Sequence, residues 1–303
     1  MAKSMKKIIV FGSLNMDLSI ECDHMLQIGE TAMGSGFVTS PGGKGANQAV
    51  ACAKLGGAVN MIGAVGSDLH GKEMLKSLVN NGVECSEIRA VDGVPTGIAM
   101  ITRVGGDNFI IVDSGANYEL NIDSVSKAID KVGCERDFFL CQLECDIKTT
   151  WEAIKYAKTK GLITVLNPAP AKAIPASVLS CVDMLIVNET ECEIVSKIYP
   201  ETLDDGRHAA EALQRSGVKI VVITLGERGS FVFSDGDAIV SVPPSTDAVD
   251  TTCAGDTYIG ALLASLSHGK TLGEAVDLAT HASALATTRV GAQQSIPTLS
   301  ELN

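Results

Sequence analysis

Residues 250–257 read Asp-Thr-Thr-Cys-Ala-Gly-Asp-Thr and run straight into the apolar stretch 258–264. Small residues leading into helix formers describe a loop that becomes a helix start. The first amides of a helix have no partner inside it, so Ala254, Gly255 and Asp256 can present free N–H groups to an anion. Gly255 lets the backbone approach a ligand closely. Asp256 puts a carboxylate in the same place. A carboxylate beside an anion hole makes sense when the anion is transient and the carboxylate takes a proton. Phosphoryl transfer to an alcohol needs that pairing: a base for the hydroxyl and fixed dipoles for the moving phosphoryl group.

Four further clusters carry polar chemistry. Gly12-Ser13-Leu14-Asn15-Met16-Asp17 follows an apolar run, so it falls at the carboxyl end of an early strand, where α/β sheets bind ligands. Asn15 and Asp17 suit a polyhydroxylated ligand, or else simply make a turn. Pro41-Gly42-Gly43-Lys44-Gly45-Ala46-Asn47-Gln48 sets three glycines around a lysine ahead of a helix. Asn188-Glu189-Thr190-Glu191 has the spacing of a capping box, and the same spacing could hold metal-bound waters near a phosphate. Thr224-Leu225-Gly226-Glu227-Arg228-Gly229 reads either as a wrap around a nucleotide or as a hairpin turn into 230–233. In the tail 288–295, main-chain carbonyls could join Asp250 around a cation. The stretch 264–271 fits a loose phosphate-loop pattern, but it ends a helix instead of opening one, so it reads as a chance match.

These clusters need strand ends and helix starts to hold them. Short apolar runs at 7–11, 59–64, 137–143, 163–167, 184–188 and 219–225 alternate with helical patterns at 45–55, 71–80, 149–160, 190–198 and 205–216. Helices at 255–267 and 271–288 close the chain. The alternation implies an α/β fold: three layers, a doubly wound, mostly parallel sheet with helices on both faces. Strands near 18–20, 32–39, 97–103 and 108–113 have no helix to cover them, and 104–107 is a hairpin signal. They are expected to form a small β-sheet projecting from the main one, closing over a ligand and pairing with a second copy.

The 303 residues carry a net charge of −12, which argues against nucleic acid or an anionic membrane as the partner. No apolar run reaches the ~18 residues of a membrane span. No targeting segment is expected at the start, and the nine cysteines, scattered among apolar neighbours, read as reduced thiols of a cytoplasmic protein. The five histidines form no ligand cluster.

Taken together, in this order and at these separations, the motifs resemble the ribokinase branch of the ribokinase-like (PfkB) carbohydrate kinase family. Residues 42–48 are similar to its amino-terminal signature and 250–257 to its carboxy-terminal one. Leu166-Asn167-Pro168-Ala169-Pro170-Ala171 and the segment 188–191 also correspond. The likeness covers nearly the whole length, so 1–303 is expected to be one kinase domain, with a lid formed by about 17–41 and 97–115.

The resemblance implies ATP-dependent phosphorylation of D-ribose on its 5-hydroxyl. Asp256 is then the catalytic base, with the amides of Ala254, Gly255 and Asp256 as the anion hole. Asn15, Asp17, Gly43, Lys44, Asn47, Glu144 and Asp256 hold the sugar. Asn188, Glu191, Thr224, Gly226, Glu227, Gly229, Gly255 and Thr280 line the ATP side, with Mg²⁺ held through water by Glu191. An activating K⁺ falls to Asp250, Thr252, Ala286, Arg289, Gly291 and Ser295. The lid implies a homodimer. The alternatives are a deoxyribose, fructose or nucleoside kinase of the same family, or a sugar-binding regulator without catalysis. Aromatic residues make up 4% of the chain, which favours a bare sugar over a nucleoside. Two departures stand out: Ile28 replaces the proline usual at the start of the lid, and Cys253 replaces a small residue, which suggests sensitivity to oxidation or alkylation.

Overall fold

The computed structural model describes residues 5–105 and 107–302. The chain opens with β1 (Lys7–Phe11), leaves the main sheet for β2 (Asn15–Glu21) and β3 (Ser35–Gly42), and returns through α1 (Lys44–Lys54) to β4 (Ala58–Gly66), α2 (Leu69–Asn80) and β5 (Glu84–Val91). A second excursion, β6 (Gly97–Val104) and β7 (Asp107–Asp113), precedes α3 (Ile122–Val132). Regular alternation follows: β8 (Phe138–Cys141), α4 (Ile147–Thr159), β9 (Ile163–Leu166), α5 (Ala176–Leu179), β10 (Met184–Asn188), α6 (Glu189–Ser196), α7 (Leu203–Arg215) and β11 (Ile220–Thr224). A meander of β12 (Ser230–Ser234) and β13 (Asp237–Ser241) leads to α8 (Ala254–Ser267) and α9 (Leu272–Thr287).

The nine-stranded sheet has the order β13-β12-β11-β10-β9-β8-β1-β4-β5 and is parallel from β11 to β5. β12 alone runs the other way, pairing antiparallel with β11 on one side and β13 on the other. Strands such as Ile8–Phe11 and Met184–Val187 are apolar throughout because helices cover both faces. One core packs α1, α8 and α9 on the sheet, and the other packs α3, α4 and α7 against the opposite face. The α/β architecture with a separate small sheet is as expected from the sequence.

That small sheet has the order β3-β2-β6-β7. β3 begins three residues later than the run read from the sequence and continues to Gly42, because it pairs with β2 down to Asn15. The turn at 27–30 holds without proline. Glu30 N donates to Gln27 O (3.0 Å), and Gln27 N donates to the Glu30 carboxylate (2.9 Å). The sequence reading assigned nothing to α3 or β5. The stretch 264–271 finishes α8, and Gly269 takes the left-handed φ of 82° just beyond it. No helix among the described residues is long and apolar enough to cross a membrane.

Candidate active site at the mouth of α8

The residues expected to hold a sugar come from three strand ends and the start of α1. Asn15 opens β2, and its Oδ1 accepts from Asn117 Nδ2 (2.7 Å), while Asn117 Oδ1 accepts from Leu14 N (2.8 Å). A Cβ at Gly97 would lie 2.3 Å from Asn15 Oδ1, and one at Gly42 would lie 2.1 Å from Asp17 Oδ2. These two glycines are fixed by the side chains they accommodate. Gly43 caps α1 at φ 85°, a conformation that favours glycine, with Asn15 N 2.8 Å from where its Cβ would be. Glu144 binds the loops together: its Oε2 accepts from Ser13 Oγ (2.5 Å) and from Lys44 N (3.0 Å).

Four carboxylates share this basin with one ammonium. Burial, then the charges of Glu144 and Asp256, lift the Asp17 carboxyl to about 7. Burial is also the largest single influence on Lys44 and pushes it down, but Asp256, Glu144 and Glu191 outweigh it and hold Lys44 above the ordinary lysine range. Lys44 therefore remains an ammonium near neutral pH. Burial raises Glu191 above the usual carboxylate range, against the hydrogen bond from Asn188 and the charge of Lys44.

At the helix mouth Cys253 is the N-cap, in the left-handed region at φ 67°. Ala254 N donates to Thr251 O (3.2 Å), so the anion hole expected from three amides has one of them already engaged. Among the described residues, no protein acceptor is found for the N–H of Gly255 or Asp256. A Cβ at Gly255 would meet nothing within 4 Å. The Asp256 carboxylate is buried and points toward α1. Its Oδ1 accepts from Gln48 Nε2 (2.9 Å); its Oδ2 is 3.4 Å from Asn47 Nδ2 and 3.6 Å from Cys253 Sγ. Burial, then the Asp256 charge, pushes the Cys253 thiol well above its ordinary value. A buried, protonated thiol is a poor nucleophile, which weighs against the reactivity suggested by its position.

On the other side of Ala254 and Gly255 lies a cleft of about 900 Å³. Thr224, Gly226, Glu227 and Gly229 line it from the β11–β12 turn, and Thr280 lines it from α9. That turn is the hairpin between β11 and β12 and also a wall of the cleft. Asn188 and Glu191 lie outside the lining; Asn188 is the register partner of Thr224 at the end of β10. They form the capping box of α6, with Glu191 N donating to Asn188 Oδ1 (2.8 Å) and Asn188 N to Glu191 Oε2 (3.0 Å). Sequence reasoning missed the segment of Pro243, Pro244, Ser245, Thr246 and Ala248, and also Tyr258, all of which line the cleft. The Pro-Pro-Ser-Thr run between the last strand and Asp250 was the available signal.

A description of the pfkB family of carbohydrate kinases matches residues 5–299. The chain belongs to that family. Among pfkB kinases, it is 36% identical over 297 residues to a ribokinase of Haemophilus influenzae, covering 98% of this chain and 97% of that one. A deoxyribokinase of Salmonella typhi is 33% identical over 300 residues, covering 98% and 97%. The structure of Arabidopsis thaliana ribokinase complexed with ribose and ATP superposes with a TM-score of 0.88 at 30% identity, covering 98% of this chain and 97% of that one.

In this pfkB kinase the remaining sequence-derived residues gather at a turn beyond α9. Asp250 Oδ2 accepts from Gly291 N (2.9 Å), and Asp250 Oδ1 from Thr252 N (2.9 Å). Asp250 N donates to Thr287 O (3.1 Å), next to Ala286. Ser295 is fully buried and bonds Ala292 O (2.8 Å). The Arg289 guanidinium donates to Glu301 Oε1 (2.7 Å), and Arg289 N donates to Ala286 O (3.1 Å). Among the described residues no group of three or more His, Cys, Asp or Glu is arranged to hold a metal ion. Oxygen donors from backbone and Asp250 suit a hard monovalent cation, and a divalent ion near Glu191 has to bring most of its ligands with it.

Proposed function

We propose that this chain transfers the γ-phosphoryl group of ATP to the 5-hydroxyl of D-ribose, giving D-ribose 5-phosphate and ADP. One observation carries the reading. The first turn of α8 serves two sides at once: Ala254 and Gly255 line the large cleft, while the Asp256 carboxylate is hydrogen-bonded into the Asn47–Gln48 turn of α1. A sugar against Asn15, Asp17, Gly43, Lys44, Asn47 and Glu144 and a nucleotide against Thr224, Gly226, Glu227, Gly229, Gly255 and Thr280 then meet over one carboxylate. The relatives named ribokinase, and the one complexed with ribose and ATP, support this choice of substrates.

In this mechanism Asp256 accepts the proton of the 5-hydroxyl, and the freed electron pair forms the bond to phosphorus. The bond to ADP breaks with its electrons leaving on ADP. The free N–H groups of Gly255 and Asp256, with the α8 dipole behind them, stabilise the negative charge that develops between the two. Lys44 stays charged beside the carboxylates and balances them. Magnesium supplies charge neutralisation on the phosphates, and Glu191 with Asn188 would hold it through water. Potassium would be held by Asp250, Thr252, Ala286, Arg289, Gly291 and Ser295. The small sheet closes over the sugar and pairs with a second copy, and the protein works in the cytoplasm.

The test is Asp256→Asn together with a substrate panel. General-base assistance contributes roughly 10²–10⁴-fold, so the variant loses turnover on that scale and still binds ribose in calorimetry. Turnover near wild type would remove Asp256 from the base role. With ATP and the wild-type protein, 2-deoxyribose, fructose or a nucleoside outcompeting ribose would reassign the substrate. ADP release with none of them would make the chain a sugar binder.

A further inference from the structure

Between the two halves of the site runs a buried string of amides that neither substrate accounts for. Gln48 is fully buried on α1, Gln142 follows β8 at 1% exposure, and Asn167 follows β9. Gln48 Nε2 donates to Asp256 Oδ1 (2.9 Å) and to Asn167 Oδ1 (3.0 Å). Gln48 Oε1 accepts from Gln142 Nε2 (2.5 Å). Asn167 Nδ2 continues to Ile186 O (3.0 Å) and toward Glu191 Oε2 (3.4 Å). The cost of this arrangement is visible. Among the described residues Gln142 Oε1 is buried without a hydrogen-bond partner, which native structures rarely tolerate without a reason. Two motif glycines also give it room. A Cβ at Gly12 would lie 2.2 Å from Gln142 Oε1 and 2.7 Å from the Cα of Gly45. The amide of Gln142 is thus kept with its NH₂ toward Gln48, and Gln48 with its NH₂ toward Asp256. The opposite orientation of Gln48 would set its oxygen against a carboxylate.

We infer that Gln48 is a positioning residue for the base: it anchors Oδ1 of Asp256 and leaves Oδ2 as the oxygen that takes the sugar proton. Among the described residues Oδ2 has only the long contacts to Asn47 and Cys253. Turning the carboxylate away from the sugar breaks the short bond from Gln48, so the proton-accepting oxygen is fixed before substrate arrives. The other ionisable groups around Asp256 are Lys44 on α1, Asp17 on β2, Glu144 after β8, Glu191 on α6 and Cys253. None of their side chains hydrogen-bonds to Oδ1 among the described residues. The inference rests on the reading of Asp256 as general base.

The test uses the full chain with Gln48→Met, which removes the amide, and Gln48→Glu, which keeps its shape. Asp256→Asn runs alongside. The kcat and the ribose KM are measured from about pH 5.5 to about pH 9, and ribose affinity is read by calorimetry. Gln48→Met is expected to lower kcat by about 10- to 100-fold. Its ribose KM stays within about threefold, the pattern of a loss confined to the transition state. The acidic limb of the kcat profile moves to higher pH. In Gln48→Glu it moves further, because a second carboxylate faces Asp256. An acidic limb at the wild-type position in both variants, or a raised KM with kcat intact, overturns the positioning role while Asp256→Asn stays inert. If Gln48→Met does not fold, the limb of Gln48→Glu decides alone. An active Asp256→Asn overturns the base reading and this inference with it.

Discussion

Asp17 stands in a basin with Glu144 and Asp256, and burial with their charges lifts its carboxyl from 3.8 to about 7. The folded state therefore holds a proton that the unfolded chain has already released. Between about pH 4 and about pH 7 that difference makes stability fall as pH rises, and the fall ends above the folded value. Asp17→Asn removes the slope. Urea midpoints of wild type and variant, without ligand, are expected to separate progressively from pH 5 to pH 8 in favour of the variant. A constant difference across that range would mean that Asp17 ionises normally. Cys253 gives a second prediction. Mild alkylation of the native protein, read by mass spectrometry, should label exposed Cys134 and spare Cys253, and labelling of Cys253 first would show an open helix mouth. Asn15, Asp17, Lys44, Asn47 and Asp256 could be picked out in the sequence because glycines or small residues flank them at strand ends and helix starts. Gln48 and Asn167 stood inside the motifs without a role of their own, and Gln142 stood in none. Their work is done across the chain, with Gln48 and its carboxylate 208 residues apart, so nothing local in the sequence points to it.

The helices α1 and α8 must lie close for Asn47 and Gln48 to reach Asp256, and one residue sets their distance. A Cβ at Gly260 would come 2.3 Å from Ala51 Cβ and 2.7 Å from Cys52 N. The small residues Ala46, Ala49 and Ala51 give α1 a face that a bare glycine can meet. Gly260→Ala therefore pushes the helices apart. It should cost ~1–3 kcal/mol, as overpacking typically does, and lower kcat even under conditions where the protein is fully folded. Gly273→Ala is the contrast: nothing lies within 4 Å of its Cβ, in a helix start of ordinary φ. It should stabilise by ~0.4–1 kcal/mol through the unfolded chain. Equal urea midpoints for the two variants would refute the packing argument. The strands and helices of the main layers could be read because their apolar runs are uninterrupted. β5 was missed since Glu84, Glu87 and Arg89 break up its pattern at the sheet edge. α3 carried a readable signal, an Asn121–Ser124 capping box ahead of Val125, Ile129 and Val132, that went unused.

At the scale of the whole molecule, a single chain leaves the small sheet unfinished. Every residue of β7 is exposed, and Phe109, Ile110, Ile111 and Val112 keep about half of their surface in solvent. Strand register puts Phe109 opposite Thr102 and Ile110 opposite Ile101, so successive apolar side chains fall on both faces of the sheet. The face shared with Asp17 and Ala99 is the one that would cover the sugar in the function proposed above. The opposite face has no such use, and β3 and β7 are the edges of the sheet. Exposed apolar strands of this kind are normally covered or blunted. A second copy of the same sheet is the partner with matching chemistry, since an isologous contact asks for no other surface. Light scattering behind a sizing column should then give twice the 31.6 kDa of one chain. Phe109→Ser with Ile110→Ser, one change on each face, should return the mass to that of one chain. The main sheet does not depend on those residues, so its melting transition should stay within a few degrees of wild type at ~1 kcal/mol or less for exposed positions. A wild-type mass of 31.6 kDa at ten-micromolar protein would instead leave the apolar sheet with ribose closure as its only purpose.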